Sequence, residues 1–239
     1  MTKYILTCEH GGNYIPQDFR EYFKTKQAML NSHRGYDIGI LNVFKLFSKK
    51  TGLPHFYSNT SRLLIDANRS LNNKNLFSDI SQDFSEKEKN LLTKRYYMPF
   101  RTTVELLIGA WIEQQHQVYH ISFHSFTPVL KSEVRKADIG FLYDPKNAKE
   151  KVFSSLWRST LESEHSKLCV RFNYPYFGTA DGFTTYLRKT FGTKYYSGIE
   201  LEVNQKLISD SVGQKAMTEM LLNSFNSLRF IDRTTSAAS

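Results

Sequence analysis

The stretch that most constrains the fold is residues 3–16, KYILTCEHGGNYIP. A short apolar run, residues 4–6, leads to His10, two glycines and Pro16. This pattern predicts a buried strand that carries a histidine onto a tight loop at its carboxyl end, which is where open α/β sheets keep their sites. Because glycine has no side chain, a ligand or a metal can approach the backbone of this loop closely. A histidine satisfied by hydrogen bonds alone would give the same pattern, so partners for His10 must come from elsewhere in the chain.

The composition predicts one domain with a sizeable core. The chain has 239 residues, of which 40% are hydrophobic, and it includes 18 Phe and 14 Tyr. Domains of the α/β class often reach this length. We therefore expect a single domain over residues 1–230, followed by a flexible tail over residues 231–239.

Cysteine content and hydropathy predict a cytoplasmic location. Cys8 and Cys169 are the only cysteines, which is too few for a disulfide framework and favours a reducing compartment. No apolar run approaches the roughly 20 residues that a membrane span needs. The first residues also lack a signal-peptide pattern. We expect a cytoplasmic protein that does not bind membranes.

The net charge is strongly positive, at +9 from 32 basic and 23 acidic residues. Such an excess can indicate binding to nucleic acid or to anionic substrates. Here the basic residues are scattered, with only small clusters at Lys49-Lys50 and Lys94-Arg95. This distribution is typical of a solvated basic surface, so we expect no nucleic-acid partner. Several arginines lie inside polar motifs and fit a small acidic substrate better than a phosphate backbone.

A second histidine repeats the arrangement of His10. Residues 118–128, VYHISFHSFTP, predict a core strand with His124 at its exit. His120 lies within the strand, and we interpret it as a structural histidine. Two histidines at the ends of strands in one sheet are a more specific signal for a site than either one alone.

Candidate carboxylates occur at two places. Asp37 precedes an amphipathic helix that ends before Gly52, so it is either the N-cap of that helix or a metal ligand or partner of His10. In residues 197–204 the side chains alternate with period two, which puts Glu200 and Glu202 on one face of a strand. An ordinary edge strand would show the same alternation, and so would a strand that presents a general base.

Arginines and amides supply the remaining polar groups. The segment SRLLIDANRS, residues 61–70, places Arg62, Asp66, Asn68 and Arg69 around a short apolar triplet. A guanidinium is the natural bidentate partner of a carboxylate, so this cluster is either a binding site or a structural salt bridge of Asp66. Residues 183–190 predict a short helix that carries a further arginine, at position 188.

Together these residues make up the inventory of a metal-assisted amide hydrolase. A catalytic zinc takes three protein ligands from His, Asp and Glu, and it lowers the pKa of a bound water to about 7. A carboxylate can then take the proton, and arginines can stabilise an oxyanion or hold an anionic substrate. Cys8 as a nucleophile is the weaker covalent option, since we expect its side chain to face the core.

Five motifs in order resemble the N-formylglutamate amidohydrolase family: CEHGGNYIP, HRGYDIG, SRLLIDANRS, ISFHSFTP and GIELEVNQ. The resemblance runs from about residue 4 to residue 210. The family is similar in turn to zinc-dependent carboxypeptidases and to the aspartoacylase and succinylglutamate desuccinylase group. The resemblance implies their phosphorylase/hydrolase-like fold, which is a three-layer α/β/α arrangement with a mixed central sheet.

The resemblance also implies roles for single residues. His10 and His124 match the two zinc histidines of the wider group, and Glu202 matches its general base, with Glu200 as the runner-up on the same face. The Asn-Arg pair that grips the substrate carboxylate and the arginine that polarises the scissile carbonyl are also present, at Asn68-Arg69 and Arg62. Arg188 is a further candidate for binding a carboxylate.

One position departs from the wider group. Where that group has a glutamate three residues after its first zinc histidine, this chain has Asn13. An amide oxygen is a poor zinc ligand, so we expect Asp37 to be the third ligand, with Asn13 as a polar neighbour that contacts substrate.

The implied reaction is a zinc-dependent conversion of N-formyl-L-glutamate and water into formate and L-glutamate. One alternative keeps the fold and changes the substrate to another N-acyl amino acid or a peptide. A second is a non-catalytic basic binding protein with a degenerate metal site.

Overall fold

The computed structural model describes the backbone of residues 1–237 and the side chains of residues 1–229. The predicted flexible tail, residues 231–239, lies outside the residues whose side chains are described. The strands are β1 Thr2–Cys8, β2 His55–Tyr57, β3 Gln117–Phe126, β4 Val129–Leu130, β5 Glu133–Val134, β6 Ile139–Leu142, β7 Val170–Phe172 and β8 Tyr196–Asn204. The helices are α1 Gln27–Leu30, α2 Ile40–Thr51, α3 Glu86–Leu92, α4 Met98–Glu113, α5 Ala148–Glu164, α6 Phe183–Phe191 and α7 Ser211–Ala237.

A six-stranded mixed sheet forms the centre of the fold, in the order β2-β1-β3-β8-β6-β7. Strands β2, β1, β3 and β8 run parallel to one another, whereas β6 is antiparallel to β8 and parallel to β7. Strands β4 and β5 form a separate hairpin. The predicted α/β class with a mixed central sheet is therefore confirmed.

Helices cover both faces of the sheet. One apolar cluster joins α2, α5 and α7 to side chains of β1, β3, β6 and β8. A second cluster joins α4 and α6 to the opposite face. Burying apolar side chains on both faces is the main driving force for such a layered fold. None of the helices in residues 1–237 combines the length and apolar character needed to cross a membrane.

Side-chain alternation gives the sheet a polar stripe on one face. In register across β1, β3 and β8, Leu6, Ile121 and Ile199 face α2, α5 and α7. The side chains that follow them point to the opposite face, because the direction alternates with period two. Three adjacent strands thus carry polar side chains on one face towards their carboxyl ends. These residues are Thr7 and, directly after β1, Glu9, then Ser122 and His124 on β3, and Glu200 and Glu202 on β8.

Strand β8 is central rather than an edge strand. It lies between β3 and β6, and all of its residues from Tyr196 to Asn204 are buried. The edge-strand interpretation of residues 197–204 is therefore wrong. The period-two pattern alone could not show this, because an edge strand and a central strand with two acidic side chains have the same alternation.

Asp37 does not cap helix α2. Gly39 occupies the N-cap with a φ of 82°, and a Cβ there would lie 2.4 Å from the carbonyl oxygen of Ile208. Only glycine therefore fits this tight entry to the helix. The N-cap interpretation of Asp37 is wrong, and its carboxylate is available to other side chains. The predicted helix end at Gly52 is confirmed.

The capping-box pattern at Ser85 predicts a long helical stretch over residues 86–115 that Pro99 kinks or splits, and the structure has two α-helices there, α3 and α4. Ser85 and Glu88 form the expected capping box at the start of α3. A π-helical turn, Thr93–Tyr97, then separates α3 from α4, and Pro99 lies in the first turn of α4. Proline has no backbone N–H to donate, so the helical hydrogen-bond ladder is interrupted at this position.

Candidate active site

A cavity of about 230 Å³ lies where β1, β3 and β8 end. Eight of the residues singled out in the sequence line it, namely His10, Asp37, Arg62, Asn68, Arg69, His124, Glu200 and Glu202. Sheet order explains the meeting, because β1, β3 and β8 are parallel neighbours whose carboxyl ends share one edge.

Three of these side chains converge on one point. His10, Asp37 and His124 are all buried, and each offers a ligand atom within 4.8 Å of the other two. His124 Nδ1 lies 2.8 Å from Asp37 Oδ2, and His10 Nδ1 lies 3.6 Å from the same oxygen. The structure thus brings the three predicted metal ligands together.

The donor set fits a divalent metal. Two imidazole nitrogens and one carboxylate are a usual set of protein ligands for a catalytic zinc. Among the described side chains, His10 Nδ1 is one of the few buried polar atoms without a hydrogen-bond partner. A buried imidazole nitrogen aimed at a carboxylate and left unpaired is costly unless something else binds it.

The outer nitrogens of both histidines contact carboxylates. His10 Nε2 lies 2.7 Å from Asp66 Oδ1. His124 Nε2 lies 3.2 Å from Glu9 Oε2 and 2.9 Å from the hydroxyl of Ser122. Sequence reasoning missed Glu9 and left Asp66 as a possible partner of an arginine. Glu9 directly follows β1 and lies two residues after Thr7. The period-two alternation of the strand could therefore have predicted that its side chain lies on the same face as Thr7.

Asp37 is held as an anion by its neighbours. Burial acts to raise its pKa, but the guanidinium of Arg62, the nearby imidazole of His10 and the hydrogen bond with His124 hold the pKa well below the usual value. Arg62 donates to Asp37 Oδ1, and its buried Nε has no hydrogen-bond partner among the described residues. Arg62 therefore lies beside the convergence point with donor capacity left for a ligand.

Glu202 has the electrostatics of a proton carrier. Burial is the main cause that raises its pKa to about 7, and the negative charges of Asp37 and Glu200 add to it. Its Oε2 is buried and has no hydrogen-bond partner among the described residues. In contrast, Glu200 Oε1 accepts a 2.6 Å hydrogen bond from Thr184. A cavity-lining carboxyl group with a pKa near neutrality suits general acid–base chemistry.

Asn68 and Arg69 also line the cavity. Asn68 Oδ1 accepts a 2.7 Å hydrogen bond from the backbone N–H of Phe183. Arg69 donates to the carbonyl oxygen of Asp181, and its Nε lies 3.8 Å from Asp66. The Asp181 carboxylate, which the sequence reasoning also missed, accepts hydrogen bonds from Ser70 and Asn73 and so fixes this loop.

Two predicted substrate-binding residues do not reach the cavity. Asn13 donates to Leu30 O at 3.2 Å and to Asn31 Oδ1 at 2.8 Å, so its amide braces a neighbouring turn. Arg188 points into the core, where its Nε donates to Glu150 at 2.8 Å. The other Arg188 donors reach backbone carbonyl groups, those of residues 178 and 198. A short helix was predicted correctly there, but its buried face was not.

Cys8 and His120 have structural surroundings. Burial raises the pKa of the Cys8 thiol well above its ordinary value, so it is not an activated nucleophile. Its side chain belongs to the core cluster under α2, as expected. His120 is fully buried, 2.6 Å from the Thr7 hydroxyl and 2.8 Å from the Tyr196 hydroxyl, which confirms a structural histidine.

Comparison with known proteins gives a family and a fold. Residues 2–209 match the sequence model of a family described as N-formylglutamate amidohydrolase. No curated protein sequence matches the chain.

Two solved structures align over nearly the whole chain. A gene product of Agrobacterium tumefaciens is 28% identical, with a TM-score of 0.79 over 95% of this chain and 92% of that one. The N-formylglutamate amidohydrolase of Ralstonia eutropha is 15% identical, with a TM-score of 0.71 over 98% of this chain and 95% of that one.

A more distant structure, the CwlD amidase of Clostridioides difficile, is 11% identical and aligns with a TM-score of 0.50 over 96% of this chain and all of that one (100%). At the lower identities the likeness concerns the fold alone.

Proposed function

Since the chain belongs to the N-formylglutamate amidohydrolase family, we propose that it hydrolyses the amide bond of a small N-acyl amino acid, with N-formyl-L-glutamate as the first candidate. The observation that carries the proposal is the meeting of three kinds of group in one cavity: a His-Asp-His trio, a carboxyl group with a pKa near neutrality, and two arginines. Metal-assisted hydrolysis of an anionic amide substrate uses each of these groups.

His10, Asp37 and His124 would hold one zinc ion or another divalent metal. When bound, the metal supplies Lewis acidity, which polarises a carbonyl group and lowers the pKa of water. The chain's own residues then orient the substrate and move the proton. This ligand assignment favours Asp37 over Asn13, whose amide is already engaged with residues 30 and 31.

Glu202 is the proposed general base. It takes a proton from the attacking water as the C–O bond forms at the acyl carbon. It then gives that proton to the amine nitrogen as the C–N bond breaks, which releases the acid and the free amino acid. One carboxyl group can perform both transfers, because it accepts the proton as a carboxylate and donates it as a carboxylic acid.

Arginines account for the anionic character of the substrate. Arg62, next to Asp37, is placed to stabilise negative charge on the former carbonyl oxygen. Arg69, with Asn68 beside it in the cavity lining, would bind the substrate carboxylate. The cavity of about 230 Å³ suits a ligand of this small size.

Steady-state assays test the proposal directly. Protein incubated with zinc is assayed with N-formyl-L-glutamate, with other N-acyl amino acids and with short N-acylated peptides, following release of the free amine. We expect turnover of at least one small N-acyl amino acid and its loss in the Glu202→Gln variant. Folded, zinc-loaded protein that turns over none of these compounds would refute the proposal.

A further inference from the structure

Two buried carboxylates lie behind the metal-binding histidines. Glu9 is fully buried and its Oε2 lies 3.2 Å from His124 Nε2. Asp66 is 7% exposed and its Oδ1 lies 2.7 Å from His10 Nε2. Neither residue is among those that line the cavity, so neither is placed to touch substrate.

Each imidazole ring therefore spans two carboxylates. On the inner side, both Nδ1 atoms face Asp37 Oδ2, at 2.8 Å from His124 and at 3.6 Å from His10. On the outer side, each Nε2 faces a carboxylate of its own. An imidazole that donates its Nε2–H to a carboxylate carries its lone pair on Nδ1, which is the form that binds a metal.

We propose that Glu9 and Asp66 are positioning residues that select this tautomer and aim both Nδ1 atoms at the point shared with Asp37. The proposal rests on the metal site proposed above. It assigns to two carboxylates outside the cavity a role in metal affinity, and to Asp66 an additional role in substrate binding.

Two hydrogen bonds besides the contact with His124 hold the Glu9 carboxylate in place. Its Oε1 accepts a 2.6 Å hydrogen bond from Thr7, and its Oε2 accepts a 2.5 Å hydrogen bond from Ser122. Thr7 is in turn 2.6 Å from His120, so the carboxylate belongs to a hydrogen-bonded chain along one face of the sheet. These contacts leave Glu9 little freedom to turn away from His124.

The partners of Glu9 also favour a positioning role. A buried carboxylate is costly unless it is paired, and structural ones usually face a permanent cation. The buried Glu150 follows this rule, at 2.8 Å from Arg188. Among the described ion pairs, Glu9 faces only an imidazole, that of His124. An imidazole is positively charged only when it is protonated, so it is a poor partner for stabilising a buried carboxylate. Its N–H is nevertheless a good hydrogen-bond donor, and the carboxylate can fix the direction of the ring.

Asp66 contacts both a proposed metal ligand, His10, and the proposed substrate-binding pair, Asn68 and Arg69. The oxygen that contacts His10 also accepts a 2.9 Å hydrogen bond from the backbone N–H of Asn68. The other carboxylate oxygen lies 3.8 Å from Arg69. Moving Asp66 would therefore disturb both His10 and the Asn68-Arg69 pair, whereas His124 is the one cavity-lining residue among the described contacts of Glu9.

The test compares zinc affinity and KM in two isosteric variants. Zinc affinity is measured in wild-type protein, Glu9→Gln and Asp66→Asn by competition with a chromophoric chelator at one pH. We expect each variant to bind zinc roughly 10- to 100-fold more weakly. At saturating zinc, Asp66→Asn should also raise the KM for N-formyl-L-glutamate, whereas Glu9→Gln should leave it unchanged.

Asp181→Asn is the matched control. This variant removes a carboxylate that lines the same cavity and bonds to Ser70 and Asn73, but that has no hydrogen bond to either histidine. We therefore expect it to bind zinc as tightly as wild-type protein. If wild-type protein binds zinc and both variants bind it equally well, the positioning role is refuted while the metal site stands. If wild-type protein binds no zinc, the metal site and the positioning role fail together.

Histidine 15N NMR spectra of the zinc-loaded protein give an independent readout that needs no variant, including the case in which Glu9→Gln fails to fold. We expect the rings of His10 and His124 to carry their proton on Nε2 and to bind zinc through Nδ1. A proton on Nδ1 of either ring would overturn the proposal for that histidine.

Discussion

At the scale of single residues, the proposed role of Glu202 as general base leads to a direct test. Glu202 lines the cavity, its buried Oε2 has no hydrogen-bond partner among the described residues, and burial raises its pKa to about 7. Glu202→Gln should lower kcat by roughly 10²–10⁴-fold with little change in KM, because the amide cannot carry a proton. Steady-state kinetics measure both constants.

Two further variants serve as controls for Glu202. Glu113→Gln changes an exposed acid at the end of α4 and should leave both constants unchanged. Glu200→Gln should lower kcat less than Glu202→Gln, since Glu200 is already engaged with Thr184. The reverse order of the two effects would move the base role to Glu200.

The raised pKa of Glu202 also has a consequence for stability. The folded, metal-free protein keeps a proton that the unfolded chain releases between pH 4.5 and about pH 7. This residue therefore lowers the free energy of unfolding as pH rises through that range, by on the order of 3 kcal/mol at the upper end. Glu202→Gln should be more stable than wild-type protein at about pH 8 and nearly equal at about pH 5. Urea unfolding of the metal-free proteins measures this, and equal stabilisation at both pH values would contradict it.

The metal content of purified variants distinguishes the proposed metal ligands from Asn13. Wild-type protein should contain about one zinc per chain, and His124→Ala or Asp37→Ala should lose it, since each variant removes one of three ligands. Asn13→Ala is the informative control and should retain the metal. Loss of zinc in Asn13→Ala with retention in Asp37→Ala would restore Asn13 as the third ligand. Elemental analysis of purified protein is the measurement.

At the scale of structural elements, the Arg188–Glu150 pair joins α6 to α5 and β8. Arg188 uses its donors on Glu150 and on the carbonyl groups of Gly178 and Gly198. Arg188→Met should lower the free energy of unfolding by roughly 3–5 kcal/mol, because Glu150 is left buried without its cation. The KM of the remaining folded protein should be unchanged. A raised KM without loss of stability in urea unfolding would support the original assignment of Arg188 to the substrate.

Elements whose signals are local were predicted well. The β1 strand, the capping box at Ser85 and the stop at Gly52 each depend on a few neighbouring residues. The position of β8 in the sheet was not readable in the same way. Strand order depends on which distant segments pair, and residues 197–204 have the same alternation at an edge and in the centre.

At the scale of the whole molecule, the net charge of +9 raises the question whether the protein binds nucleic acid instead of acting as an enzyme. Arg62 and Arg69 lie in the cavity, and the sequence shows no basic tail or long basic run. We expect the protein to bind heparin resin only weakly and to elute as soon as the salt concentration is raised slightly, because nonspecific contacts with anionic groups weaken steeply with salt. Elution that requires moderate salt, together with absence of turnover, would favour the non-catalytic alternative.

The sequence by itself determined the family and eight of the residues that line the cavity. Strand-end histidines, a glycine loop and the order of five motifs are patterns within short stretches, and short stretches set local structure. Tertiary structure decided which groups meet. Asp66 lies 56 positions from His10 and Glu9 lies 113 positions from Ser122, yet both pairs are in hydrogen-bond contact. The same packing turned Arg188 into the core and Asn13 towards a turn. Strand pairing and side-chain packing fix these distances, and no periodicity in the sequence extends that far.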